Sequence, residues 1–304
     1  MGKIAFVFPG QGAQVIGMGK DFCEQFEAAK NVYEISSKAS EIDVMDLCFN
    51  ENDKLNITEY TQVALLTTEV AILKVIEEKG IKPDYLAGLS LGEYGALAAS
   101  EVMKLEDLFY VIRKRGLYMQ NAYPVGGAMA AVLGLDADAI TEVLSKVDGI
   151  VSIANDNCPG QIVITGEENA VRAASEALSA AGARRCVPLN VSGPFHSKLL
   201  EGAGKQLAEV LEGVEINTPK VPYISNVTAD VVTADDDIKA LLTAQVSSPV
   251  RFRESILKLK ELGVTTFVEI GPGKTLSGFV RKTDKELKVI NIEKVEDLEK
   301  LAEL

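Results

Sequence analysis

Ser90 lies in Gly88-Leu89-Ser90-Leu91-Gly92, a G-x-S-x-G pattern placed where a short apolar run ends and helical patterning begins. That is the context a nucleophilic serine requires. A sharp strand-to-helix turn pushes the hydroxyl outward, and the flanking glycines let neighbouring backbone pass closely. The plainer reading is a helix N-cap serine beside packing glycines; the strand ahead of it favours the nucleophile. A serine hydroxyl is weak until a base takes its proton. The chain holds one histidine, His196, which makes it the candidate base. It follows Ser192-Gly193-Pro194-Phe195 and stands near the start of a predicted helix, where the electropositive end favours a neutral imidazole. No Asp or Glu between Ser90 and His196 stands out as a third member, so an acid-oriented triad is not supported.

Arg115 is informative by position. Leu108, Ile112, Arg115 and Met119 fall on one stripe of a helix, while Arg113 and Lys114 turn away. An arginine on an apolar stripe must find an anion or bear a heavy desolvation cost. A buried carboxylate in a structural ion pair satisfies it, and so does a substrate carboxylate gripped by both arms of the guanidinium. Spacing does not choose between them. Two glycine signals are set aside. Gly10-Gln11-Gly12 lacks the third glycine of a dinucleotide fingerprint, since that position is Val15, and Gly273-Lys274-Thr275 lacks the upstream P-loop glycine, since that position is Val268. What remains is a loop after the first strand whose backbone N–H groups suit an oxyanion. The Arg251/Arg253 pair reads as solvated charge unless an acidic partner exists.

The elements that must position these residues follow an α/β rhythm. Residues 3–8 are apolar throughout and predict a buried strand. Helical patterning covers 19–38 and 58–79, a strand 85–89, and two helices 91–100 and 104–121. The middle third changes character. A strand at 127–134, a helix from Asp136 to about 147, strands at 150–154 and 161–165 around the turn 155–160, a helix over 167–181 and a strand at 184–189 give β-α-β-β-α-β. The expected fold is a hydrolase-like parallel-sheet core, residues 1–124 and 193–304, with a ferredoxin-like subdomain inserted at 125–192. After the insert, helices are expected near 195–212 and 250–262, a strand at 265–270 and a terminal helix from about 294.

Composition narrows the function classes. The 304 residues carry 44 acidic and 31 basic side chains, a net charge of −13, which argues against nucleic acid or an anionic membrane as main partner. With 47% hydrophobic residues the chain has material for a large core. One histidine and four cysteines without a CxxC pair exclude a Cys/His zinc site and a disulfide framework, so no metal is expected. The opening apolar run stops at Pro9, too short for a signal peptide, and no stretch suits a membrane span. Scattered thiols suit a reducing cytoplasm.

Five motifs taken together resemble the malonyl-CoA:acyl carrier protein transacylases, an acyltransferase family. They are Phe8-Pro9-Gly10-Gln11-Gly12-Ala13-Gln14, the elbow through Glu93-Tyr94, Arg115-Gly116, Gly193-Pro194-Phe195-His196-Ser197, and Glu269-Ile270-Gly271-Pro272-Gly273. They occur in family order over nearly the whole chain. The resemblance implies that malonyl-CoA acylates Ser90, that His196 is base and then acid, and that the Gln11 and Leu91 amides form the oxyanion hole. It implies that Arg115 pairs with the malonyl carboxylate. It further implies that the Gln245 backbone carbonyl orients the histidine in place of an acid, that Phe195 and Leu91 are the malonyl-selective choice, that Met119 binds substrate, and that Asn155 and Asn157 lie on a loop lining the cleft. The family elbow usually carries histidine where this chain has Leu89; that removes a polar neighbour but no member of the dyad.

The expected reaction is ping-pong transfer of malonyl to the phosphopantetheine thiol of acyl carrier protein, supplying fatty acid synthesis, without a cofactor and by a monomer. A trans-acting malonyltransferase of a polyketide synthase and a serine thioesterase or hydrolase are the alternatives. A non-catalytic carrier-binding scaffold would be expected to have lost Ser90 or His196, and both are present.

Overall fold

β1 (Lys3–Phe8) is buried on both faces from Ala5 onward, as a strand inside a parallel sheet must be. The computed structural model describes residues 2–191, 193–234 and 236–304. Met1, Asp235 and Ser192, the last of which stands at the expected edge of the insert, lie outside the described residues. After β1 come α1 (Lys20–Gln25), α2 (Glu27–Ser40), α3 (Val44–Phe49), α4 (Thr58–Glu78), β2 (Tyr85–Gly88), α5 (Gly92–Ala99) and α6 (Leu105–Ala122). The middle third holds β3 (Gly127–Leu133), α7 (Ala137–Leu144), β4 (Val151–Cys158), β5 (Gln161–Glu167), α8 (Glu168–Ala180) and β6 (Arg185–Pro188). A 3₁₀ turn at Lys198–Leu200 leads into α9 (Glu201–Glu212), α10 (Ile238–Gln245), α11 (Phe252–Glu261), β7 (Val264–Ile270), α12 (Thr275–Thr283) and β8 (Lys288–Ile292).

The core sheet runs β2-β1-β7-β8, all parallel. α4 is nearly all buried and packs between α2 and α6, bringing polar Gln62 and Glu69 inside with it. The second sheet runs β4-β5-β3-β6, wholly antiparallel, the strand order of a split βαβ unit. Its period-2 alternation sorts two faces. Ala130, Val132, Ile162 and Ile164 join α7 and α8 in a separate apolar cluster. Met129, Ala131, Asn155, Asn157 and Val163 face the other way, over the carboxyl end of β2. The second sheet is therefore the roof of a cleft whose floor is the serine turn.

Several expected boundaries move. The single helix expected over 19–38 breaks at Phe26, whose extended backbone lets its ring pack beside Phe22, with centroids 6.1 Å apart. The turn expected at 155–160 shrinks to Pro159-Gly160, because β4 continues through Cys158 with register shifts on either side of Asn155 and Asp156. No helix begins at 195: Pro194 and the left-handed backbone of His196 (φ 59°) delay it to Lys198. The terminal segment Val295–Glu303 is a 3₁₀ helix. α3, α10, α12 and β8 have no counterpart in the expected series, although Asp43 and Asp237 cap α3 and α10 by accepting from Asp46 N and Ala240 N.

Candidate active site

Steric necessity makes the turn. A Cβ on Gly88 would lie 1.9 Å from the Gly92 carbonyl carbon, and one on Gly92 would lie 2.0 Å from the Phe8 carbonyl oxygen. The start of α5 thus presses on the ends of both β2 and β1, and only glycine fits at either contact. Between them Ser90 takes φ 55°, a left-handed backbone that costs a non-glycine residue about 1–3 kcal/mol. His196 is left-handed too. Both side chains stand on left-handed backbone.

Ser90 Oγ lies 2.7 Å from His196 Nε2, and His196 Nδ1 lies 2.9 Å from the Gln245 carbonyl oxygen. A carbonyl only accepts, so Nδ1 carries the proton and Nε2 is the bare nitrogen that accepts from the Ser90 hydroxyl. The absence of a triad acid is made good by a backbone group. Burial pushes the imidazole pKa down to about 4, and the nearby Arg115 charge adds to the shift. The expected cause, a helix N-terminus, is not the one at work: His196 stands in the turn ahead of the helix.

The stripe reading of α6 holds in detail. Leu108, Ile112 and Met119 are buried, and Arg115 is 1% exposed. Its Nη1 donates to Gln62 Oε1 at 2.7 Å, and Nη2 donates to Gln245 Oε1 at 3.0 Å and to Ser90 Oγ at 3.2 Å. The Tyr94 ring lies 5.4 Å from the guanidinium carbon. Nε has no acceptor, and among the described residues no carboxylate forms an ion pair with Arg115. Of the two partners the sequence allowed, the structural ion pair is missing. Glu93 acts on Arg115 only through space; burial pushes its carboxyl up to about 7 against the hydrogen bonds from Gln245 and Asn226 N. A buried cation without a counter-ion is worth several kcal/mol of unrecovered desolvation. An anion next to Ser90 would supply the missing counter-charge.

Gln11, Leu91, Met119, Phe195, Asn155 and Asn157 all line the same cleft as Ser90, Arg115 and His196. Leu91 is the N-cap of α5, so its N–H precedes the helix ladder, and the Gln11 side chain is anchored to Thr58 Oγ1 at 3.0 Å. Asn155 and Asn157 stand on strand β4 instead of a loop, with Asn157 Oδ1 unpartnered. Leu89 lies beside Ser90 in the cleft wall and against Gly10. Glu269, from the fifth motif, accepts from Leu276 N, Ser277 N and Ser277 Oγ, fixing the start of α12, whose Thr275 and Phe279 also line the cleft. Arg253 does find an acidic partner, Asp156 at 2.9 Å, tying α11 to β4. Sequence reasoning missed Gln62, Glu93 and Asn226. Gln62, a long polar side chain in the mostly apolar run of α4, was a readable signal; Asn226, in a loop, offered none.

A family model described as acyl transferase domain matches residues 5–301. A malonyl CoA-acyl carrier protein transacylase of Bacillus subtilis (strain 168) is 50% identical over 304 residues, covering 98% of this chain and 96% of the relative. The crystal structure of a malonyl CoA-acyl carrier protein transacylase from Clostridium perfringens superposes with a TM-score of 0.96 at 44% identity, over 99% of this chain and 96% of that one. A malonyl-transacylase solved in complex with its type II polyketide synthase acyl carrier protein gives a TM-score of 0.95 at 38% identity, over 99% of each chain.

Proposed function

The chain belongs to the acyl transferase domain family, and from that premise we propose the reaction its cleft carries out. It is an acyltransferase that moves the malonyl group from malonyl-CoA to acyl carrier protein, supplying fatty acid synthesis. The observation that carries the malonyl assignment is the buried Arg115 guanidinium, without a carboxylate partner, within hydrogen-bond reach of Ser90 Oγ.

In the first half-reaction His196 Nε2 takes the Ser90 proton as Oγ attacks the malonyl thioester carbonyl. The oxyanion forms against the Gln11 and Leu91 amides. The C–S bond breaks, and His196 returns the proton to the CoA thiolate. In the second half, His196 takes the proton of the carrier's phosphopantetheine thiol, whose sulfur attacks the malonyl ester. The C–O bond breaks and Ser90 Oγ recovers the proton. Arg115 holds the malonyl carboxylate throughout, with Gln62 fixing one arm of its fork. Phe195, Met119, Asn155 and Asn157 form the walls that shape the acyl and pantetheine path. Every bond made or broken is served by these groups, so the reaction as written needs no cofactor.

One chain supplies the dyad, the arginine and the carbonyl, which supports action as a monomer. Four free cysteines support a reducing, cytoplasmic setting. A separate sheet and a separate apolar cluster support treating 125–192 as a subdomain inserted into a core of 1–124 and 193–304. The test is stoichiometry. Malonyl-CoA alone should release one burst of CoA without free malonate, and holo acyl carrier protein should then take up malonyl. Steady release of malonate would make the protein a hydrolase instead. Transfer only to a polyketide synthase carrier would move it to that pathway.

A further inference from the structure

Both peptide groups that flank the Ser90 side chain are held by side chains distant in sequence, one from a loop and one from the end of α10. Asn226 Oδ1 accepts from Ser90 N at 2.6 Å, while Asn226 Nδ2 donates to the Gly88 carbonyl at 2.7 Å. On the other side Gln245 Nε2 donates to the Ser90 carbonyl at 3.0 Å. The two amides are joined behind the turn: Glu93 Oε2 accepts from Gln245 Nε2 at 2.6 Å and from Asn226 N at 3.1 Å. Asn226, Gln245 and Glu93 are each completely buried.

We propose that Asn226 is the positioning residue of the nucleophile, the member of this frame that holds Ser90 in its left-handed backbone. The proposal rests on Ser90 being the acylated residue. A carboxamide meets the demand at this place at any pH, since one end accepts from an N–H while the other donates to a carbonyl. The strain at Ser90 persists only where its surroundings enforce it. Released from Asn226, the turn relaxes toward an ordinary φ, and Oγ swings off His196 Nε2. There is a second consequence. With its own N–H taken up by Asn226, Ser90 has no amide to offer the oxyanion, which leaves that task to the Leu91 and Gln11 amides alone. Arg115 and Gln62, which grip the substrate anion, make no bond to Asn226, so positioning and binding are separable.

The test uses Asn226→Leu, which keeps the branched shape but neither accepts nor donates, and Asn226→Ser, too short to span from Gly88 to Ser90. Acylation by malonyl-CoA is followed by intact mass, at a temperature where both variants are folded by circular dichroism. The maximal acylation rate should fall by about 10- to 100-fold in both, the range of a buried hydrogen bond lost at a reacting group. The malonyl-CoA concentration for half-maximal rate should stay within about twofold, because the arginine site is untouched. A maximal rate within twofold of wild type in either variant overturns the proposal, as does a loss confined to substrate affinity. Absence of a Ser90 adduct in the wild-type protein would instead overturn the acyl-enzyme reading beneath it.

Discussion

Arg115 Nη2 donates to Ser90 Oγ at 3.2 Å, so the nucleophile of this cleft touches a buried cation and a neutral imidazole at once. The hydroxyl accepts from one and donates to the other. Under the proposed reaction an acyl group with a negative tail lies between them, which gives a distinct expectation for each partner.

Replacing Arg115 by Ala should weaken malonyl transfer by about 2–5 kcal/mol, the range for truncating one partner of a buried charge pair. Acetyl transfer should hold steady or rise, because no unpaired cation is left to disfavour an uncharged tail. Transfer assays with both thioesters, run beside a thermal melt, check this. A parallel loss with both substrates and a lower melting temperature would make Arg115 scaffold.

His196→Ala should lower acylation by roughly 10²–10⁴, as expected for a lost general base. In the wild type, the base is active when neutral, and its folded pKa is about 4. The kcat/KM of the first half-reaction should therefore stay level down through pH 6.5 and fall only near pH 4. The same shift bears on stability. Below pH 6.5 the unfolded chain binds a proton that the folded one refuses, so this contribution is complete above 6.5 and is lost as pH falls toward 4. An acid limb centred near 6.5 would show that the imidazole is not buried as described.

Gly88→Ala should prevent the elbow from forming. The new methyl meets backbone at 1.9 Å, not a side chain that can swing aside. A destabilisation above about 4 kcal/mol is expected, of the kind seen for overpacking against fixed backbone. A denaturant melt within about 0.5 kcal/mol of wild type, the usual range of surface substitutions, would contradict the close approach.

Much of this was legible in the chain. The apolar stripe on α6 pointed Arg115 inward because helical spacing is set by the backbone alone. A single histidine left one base to choose. The element order of the middle third, β-α-β-β-α-β, already carried the antiparallel second sheet. What could not be read was long-range. Asn226 and Ser90 are 136 residues apart, and no spacing rule links a loop amide to a strained turn. β4 looked like a turn after Ala154 because Asn, Asp, Pro and Gly cluster there; pairing with β5 and a main-chain bridge to Val250 overrode that local preference. The helix expected at 195 failed for a related reason, since His196 adopts a backbone that only the assembled site makes worthwhile.

The central claim is that Ser90 carries the malonyl group between two thiols. Intact mass measured after mixing with malonyl-CoA, with peptide mapping of the product, tests it most directly. One malonyl group should appear on Ser90, be absent from Ser90→Ala, and vanish when holo acyl carrier protein is added, with malonyl recovered on the carrier. A malonyl group mapped to any other residue, or transfer that persists in Ser90→Ala, would contradict it.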